Sequence, residues 1–304
     1  MPEDEGVNGD QWNDEAAVLL TKLNWKQVGD ANIDVVNEDG KRQGIDRMFQ
    51  FEDVRRTSNV QGVFVEAKRY ATTSFKKDNL ELWIKTLDRK LNKTRNSEKF
   101  HETYPSFGSA SLRTGVIVMW FHDLEAYPTF RKSFYDTLAN IKISGHTRGE
   151  GSNKIYVLNN DDILRVASLV HSCDSFEPSN QHRIKFYYPS SDRFNNPADR
   201  SEVLSLDYIY SKFILAESRT NDGTEHKIVF YFGSLSINAF RRLKNALQSF
   251  GYIDKAKPLT IYTYERDTDF RKIKPVVIQE FEGIAFKLIE MEIFNDLPAF
   301  LRLD

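Results

Sequence analysis

The 304 residues, 40% apolar and 28% charged, have the composition of a soluble globular protein long enough for one large or two ordinary domains with a sizeable core. Forty-two basic residues against 44 acidic ones leave a net charge of −2, so the chain has no global positive field and any nucleic-acid surface must be local. The acidic, polar start MPEDEGVNGDQW has no apolar leader core, no stretch approaches the ~18 apolar residues of a membrane span, and the single Cys173 excludes an internal disulfide or a zinc cluster, so a cytoplasmic protein without membrane contact is expected.

In chain order, Asn13 is placed to cap a helix whose apolar Ala16, Leu19, Leu20 and Leu23 recur at helical spacing, ending near Trp25. Glu15 in its first turn is open to two readings, as a complement to the helix dipole or as an outer acidic residue of a metal site. Ala31 to Val36 and Ile45 to Phe51 read as strands joined through the turn signal Glu38-Asp39-Gly40. The run Val63-Phe64-Val65 that follows is apolar on both faces, as in a buried strand, and it ends in Glu66-Ala67-Lys68.

Asp46 entering one strand and Glu66-x-Lys68 ending the next place two carboxylates and an amine at adjacent strand ends. Metal-dependent phosphodiester hydrolysis needs that set. Two carboxylates offer hard oxygen ligands to Mg²⁺, which keeps several waters and also binds substrate phosphate, while a lysine can orient or activate the attacking water.

Leu80, Trp83, Ile84, Leu87 and Leu91 predict an amphipathic helix. Its other side carries Lys85, Arg89 and Lys93 at four-residue steps, with Lys76, Lys77, Lys90 and Arg95 close by. This stripe is either a solvated face or a track for a phosphate backbone, to which Arg69 would also belong. Thr114 to Phe121 reads as another buried strand, Pro128 opens a helix through Ile141, Lys154 to Leu158 is a further strand, and Asn160 caps a helix to Cys173. His122 and Asp123 read as a turn after their strand.

The leading helix with Glu15, the three-strand meander, Gly44-Ile45-Asp46, the tripeptide Glu66-Ala67-Lys68, then helix and strand, resemble the PD-(D/E)XK, or restriction-endonuclease-like, nucleases over about the first 170 residues. Ile45 stands where the name motif has Pro, which leaves the acid itself in place. The resemblance implies an α/β fold with a mixed β-sheet core flanked by helices, Asp46 and Glu66 as metal ligands, Lys68 as the catalytic lysine, the Ala67 carbonyl as a further metal ligand and Glu15 as the accessory acid. It also implies Mg²⁺, with Mn²⁺ as an alternative; DNA is the expected substrate, but the family fixes neither substrate nor biological role, which ranges from restriction and repair through tRNA splicing to anti-phage defence.

Loop-like stretches bracket Arg183 to Tyr188, so a nuclease domain of residues 1–177 and a second, smaller α/β domain of 178–304 are expected. In the latter, Lys227 to Phe232, Leu259 to Tyr264 and Pro275 to Phe281 read as strands, and Ile237 to Phe250 and Met291 to Leu303 as helices. No catalytic constellation stands out there, so docking of a partner subunit, homo-oligomerisation or nucleic-acid sensing is its expected role. The residues support an active Mg²⁺-dependent DNA endonuclease first, and a catalytically inactive nuclease-fold subunit that binds DNA or regulates second.

Overall fold

In the computed structural model, the described residues are 7–53, 60–107, 110–141, 153–176, 184–189, 199–219, 223–264 and 270–303. They group into two compact units, one formed by 7–53, 60–164 and 296–303, the other by the described part of 165–295. No described helix is long and apolar enough to cross a membrane.

The first unit begins with α1 (Val7–Lys22), whose Trp12, Ala16, Leu19 and Leu20 are buried. Short β1 (Lys26–Gln27) is followed by a hairpin of β2 (Ile33–Val36) and β3 (Arg42–Ile45). Its turn needs a left-handed residue, supplied by Gly40 at φ 75°, and the Asn37 side chain accepts the Asp39 and Lys41 N–H groups. The chain continues through β4 (Arg47–Glu52), β5 (Val60–Tyr70), α2 (Lys77–Arg95), α3 (Glu98–Thr103), β6 (Ser111–Phe121), α4 (Tyr127–Ala139) and β7 (Lys154–Leu158) to the first turn of α5 (Asn160–Phe176), whose residues from Arg165 onward count to the second unit.

Strand order is β1-β4-β5-β6-β7, with β4 antiparallel to β5 and β5, β6 and β7 parallel, so the sheet is mixed. Parallel strands are covered on both faces. Phe64, Ile117, Met119 and Phe121 share one buried cluster with Leu80, Ile84, Leu87 and Leu91 of α2. On the other face α1 packs, where Trp12 stacks on Trp120 at 5.8 Å and donates its indole N–H to the Val118 carbonyl at 3.2 Å. This is the helix-flanked mixed sheet that the resemblance implies.

The second unit holds β8 (Lys185–Tyr188), β9 (Asp199–Ser201), α6 (Leu206–Ile209), β10 (Phe213–Arg219), β11 (Glu225–Tyr231), α7 (Ile237–Ser249), β12 (Leu259–Thr263), α8 (Phe270–Glu280) and β13 (Phe286–Glu290), in sheet order β13-β12-β11-β10-β8-β9. Helices α7 and α8 connect the parallel strands β11, β12 and β13. Buried Lys227 pairs with buried Glu217, which also holds Arg200, and Lys227 reaches Glu225 at 2.7 Å.

Two expectations for this half are corrected. Pro275 to Phe281 is not a strand: α8 runs through Pro275, and Phe270, Val277 and Phe281 are buried at helical spacing while Val276 and Ile278 are exposed. Met291 to Leu303 is not a helix. Pro298, which fixes its own φ and offers no N–H, precedes a single 3₁₀ turn at Ala299–Leu301.

Candidate active site

The strand expected from Ile45 to Phe51 is interrupted at its second residue: β3 stops at Ile45 and β4 starts at Arg47, so Asp46 lies where the chain leaves the hairpin and enters the sheet. The Asp46 carbonyl accepts the Asn32 N–H at 2.9 Å, and its Oδ2 accepts the Ala67 N–H at 2.8 Å. The antiparallel register pairs Arg47 with Val65, which brings Asp46 beside the Glu66-Ala67 segment.

Side chains alternate along a strand, so Phe64, Glu66 and Lys68 share the face of β5 that α2 covers. Lys68 Nζ lies 3.5 Å from Glu66 Oε2 and 3.6 Å from Asp46 Oδ2. The other Glu66 oxygen, Oε1, accepts a 2.5 Å hydrogen bond from Lys90 Nζ of α2. Burial first, and then the Asp46 charge, push the Glu66 carboxyl above its ordinary range, and Lys90 and Lys68 oppose the shift.

Three of the expected site residues, Asp46, Glu66 and Lys68, therefore meet, and Ala67 lies among them with its N–H on Asp46. Glu15 is buried on α1, where Gln11 of the same helix donates to it at 3.0 Å; α1 covers the face of β5 opposite the one that carries Glu66 and Lys68. Of the basic residues, Lys85 pairs with Glu81 at 2.6 Å, Lys93 pairs with Asp39, Arg89 is exposed and Arg69 is half-buried. Asp123 accepts the Thr72 N–H at 2.8 Å and His122 is exposed, in keeping with a turn.

Its sequence neighbours group Lys90 with the surface cations, yet it faces the site, on Glu66. The available signal was its position three residues after Leu87 and one before Leu91, both fully buried, which puts it on the flank of the apolar stripe.

Among the described residues, no three or more His, Cys, Asp or Glu side chains are grouped to hold a metal. The donors at this site are the Asp46 and Glu66 carboxylates, which converge on one ammonium. Two hard oxygen donors suit an ion that keeps most of its waters and shares substrate phosphate, so the residues fit Mg²⁺ or a similar divalent ion better than a zinc cage.

A family model described as the GAPS4 protein PD-(D/E)XK nuclease domain matches residues 1–162 of the 304, a span that contains every residue of this cluster. No curated protein matches the chain.

Proposed function

Because the chain belongs to the GAPS4 PD-(D/E)XK nuclease-domain family, we propose that it is a cytoplasmic, Mg²⁺-dependent DNA endonuclease, working as a subunit of a bacterial anti-phage defence or DNA-processing complex. The observation that carries this reading is the convergence of the Asp46 and Glu66 carboxylates on Lys68 Nζ within 3.6 Å.

In this reading Asp46 and Glu66 are the metal ligands, with the Ala67 carbonyl as a third donor. A divalent ion there supplies Lewis-acid polarisation of the scissile phosphate and acidifies water. Lys68, held between the two acids as an ammonium, orients the attacking water and stabilises the charge that develops on the phosphate. The Ala67 N–H fixes Asp46, and the register of β4 on β5 fixes the spacing of the acids, so the ligands are positioned by backbone rather than by loops. Glu15, on α1 across the sheet from Lys68, is an accessory acid outside the ligand set. Lys85, Arg89, Lys93 and Arg69 hold the DNA backbone, and the chain from residue 178 onward docks a partner subunit, a second copy or nucleic acid.

The test is a Mg²⁺-dependent cleavage assay on linear, circular and single-stranded DNA and on RNA, with Glu66→Ala beside the wild type. Cutting of DNA by the wild type alone is expected, and undiminished cutting by a folded Glu66→Ala would overturn the site. A second reading, an inactive nuclease-fold subunit, is favoured by one observation: ammonium groups near both Glu66 oxygens compensate the buried acid without any ion. It gains if Mg²⁺ titration leaves the Tm unchanged, because an ion that binds the folded state must raise it.

A further inference from the structure

We infer that Lys90 is a positioning residue of this site: it holds Glu66 Oε1 from α2 and leaves Oε2 turned toward Asp46 and Lys68. The inference rests on the nuclease reading above.

A lysine on a solvated face keeps its ammonium in water, and an ammonium is withdrawn from water only where a partner compensates it. Lys85 and Lys93 follow the first pattern, pairing with Glu81 and Asp39 at the surface. Lys90 follows the second. Its side chain is 18% exposed, that of Glu66 10%, and the two meet at 2.5 Å.

The helix residue is itself anchored. Gln43 of β3 donates its side-chain amide to the Lys90 carbonyl at 3.2 Å and also reaches Thr94 Oγ1 one turn on. Strand β3 ends one residue before Asp46. Lys90 is thus tied through its backbone to the strand that delivers one carboxylate and through its side chain to the other. A carboxylate with no donor on either oxygen rotates about its last carbon–carbon bond. With Oε1 held, the plane is set and Oε2 has one direction, toward the space next to Asp46.

Partners of metal-ligating side chains typically change metal affinity or activity by about 10- to 100-fold when removed. The test uses the full chain and Mn²⁺ or Mg²⁺ alone, titrated calorimetrically, together with kcat and KM for DNA cleavage. Lys90→Ala is expected to weaken ion binding by about 10- to 100-fold and to lower kcat comparably, with KM for DNA unchanged. Lys90→Arg, which can still donate to Oε1, should recover most of both. If Lys90→Ala proves unfolded by circular dichroism, Lys90→Gln, one bond shorter and uncharged but still able to donate, carries the test and should fall between the two.

Unchanged ion binding and kcat would overturn the inference. So would tighter ion binding, which would make Lys90 a charge opposed to the metal, or a loss confined to KM, which would make it a phosphate contact. A wild type that binds no divalent ion, or a Glu66→Ala that cuts normally, refutes the nuclease reading itself. An inert Lys90 beside an inactive Glu66→Ala refutes only the role of Lys90.

Discussion

Asp46 and Glu66 sit on the same lysine but differ in what surrounds them. Asp46 Oδ2 takes a backbone N–H, whereas Glu66 is buried among side-chain charges. Asp46→Asn retains an oxygen for the Ala67 N–H and loses only the charge. It should keep the fold, with an unchanged far-UV spectrum, and lose DNA cleavage by about 100-fold or more, since metal-centred charge stabilisation is worth several kcal/mol. Wild-type rates from Asp46→Asn would remove Asp46 from the chemistry. Glu66 adds a pH dependence whose sign is fixed by its shift. Its carboxyl is raised above the ordinary 4.5, so between 4.5 and the higher folded value the folded protein holds a proton that the unfolded chain has released, and stability falls as pH rises through that window. An ion must displace that proton. Calorimetric Mn²⁺ affinity should therefore decline as pH drops through a midpoint above 4.5, and a midpoint at or below 4.5 would contradict a Glu66 carboxyl raised by burial and the Asp46 charge.

At the scale of elements, the site depends on how closely α2 approaches the sheet. A Cβ on Gly115 of β6 would fall 2.7 Å from Leu87 Cδ2 and 2.8 Å from Cγ, so the helix sits where only glycine allows it. Gly115→Ala should cost about 1–3 kcal/mol by overpacking and reduce cleavage by displacing Lys90 from Glu66; denaturant melts and rates together check it. Unchanged stability would mean that α2 is not so tightly seated. In the second unit, Lys227→Met leaves the buried Glu217 with Arg200 as a cation partner, at a cost of up to about 3 kcal/mol that Glu217→Leu should largely restore in a chemical melt of the double variant. These elements differ in how far sequence disclosed them. Helix α2 was legible because Leu80, Ile84, Leu87 and Leu91 repeat at helical spacing and all four are buried. The Glu66–Lys68 pair was legible because two residues apart on a strand is one face. Helix α8 was not, because three adjacent β-branched residues, Val276 to Ile278, imitate a strand while only Val277 packs inward. Lys90 was hidden for a different reason: which side of a stripe a flanking lysine takes depends on where the sheet places an acid, and that is a long-range fact.

For the molecule as a whole, a net charge of −2 means that, in the proposed nuclease reading, DNA would have to be held by local charge against a neutral background. The outward cations of α2 are partly engaged already, Lys85 with Glu81 and Lys93 with Asp39, and those contacts hold the two exposed carboxyls below their ordinary range. Exposed pairs of this kind are weak and screened by salt, so exchanging a carboxylate for a phosphate is an easy substitution rather than a barrier. Each phosphate contact releases counterions and adds about one unit to the slope of log affinity against log salt. Replacing Lys85, Arg89 and Lys93 together by alanine, in a Glu66→Ala background that leaves the DNA intact, should lower that slope by about three units and weaken binding evenly across sequences. Fluorescence anisotropy over a salt series measures it directly. An unchanged slope would show that the stripe is only solvated surface and that DNA is gripped elsewhere. A slope lowered by about one unit would single out Arg89, the stripe residue not paired with Glu81 or Asp39, as the one cation of the three that reaches the backbone.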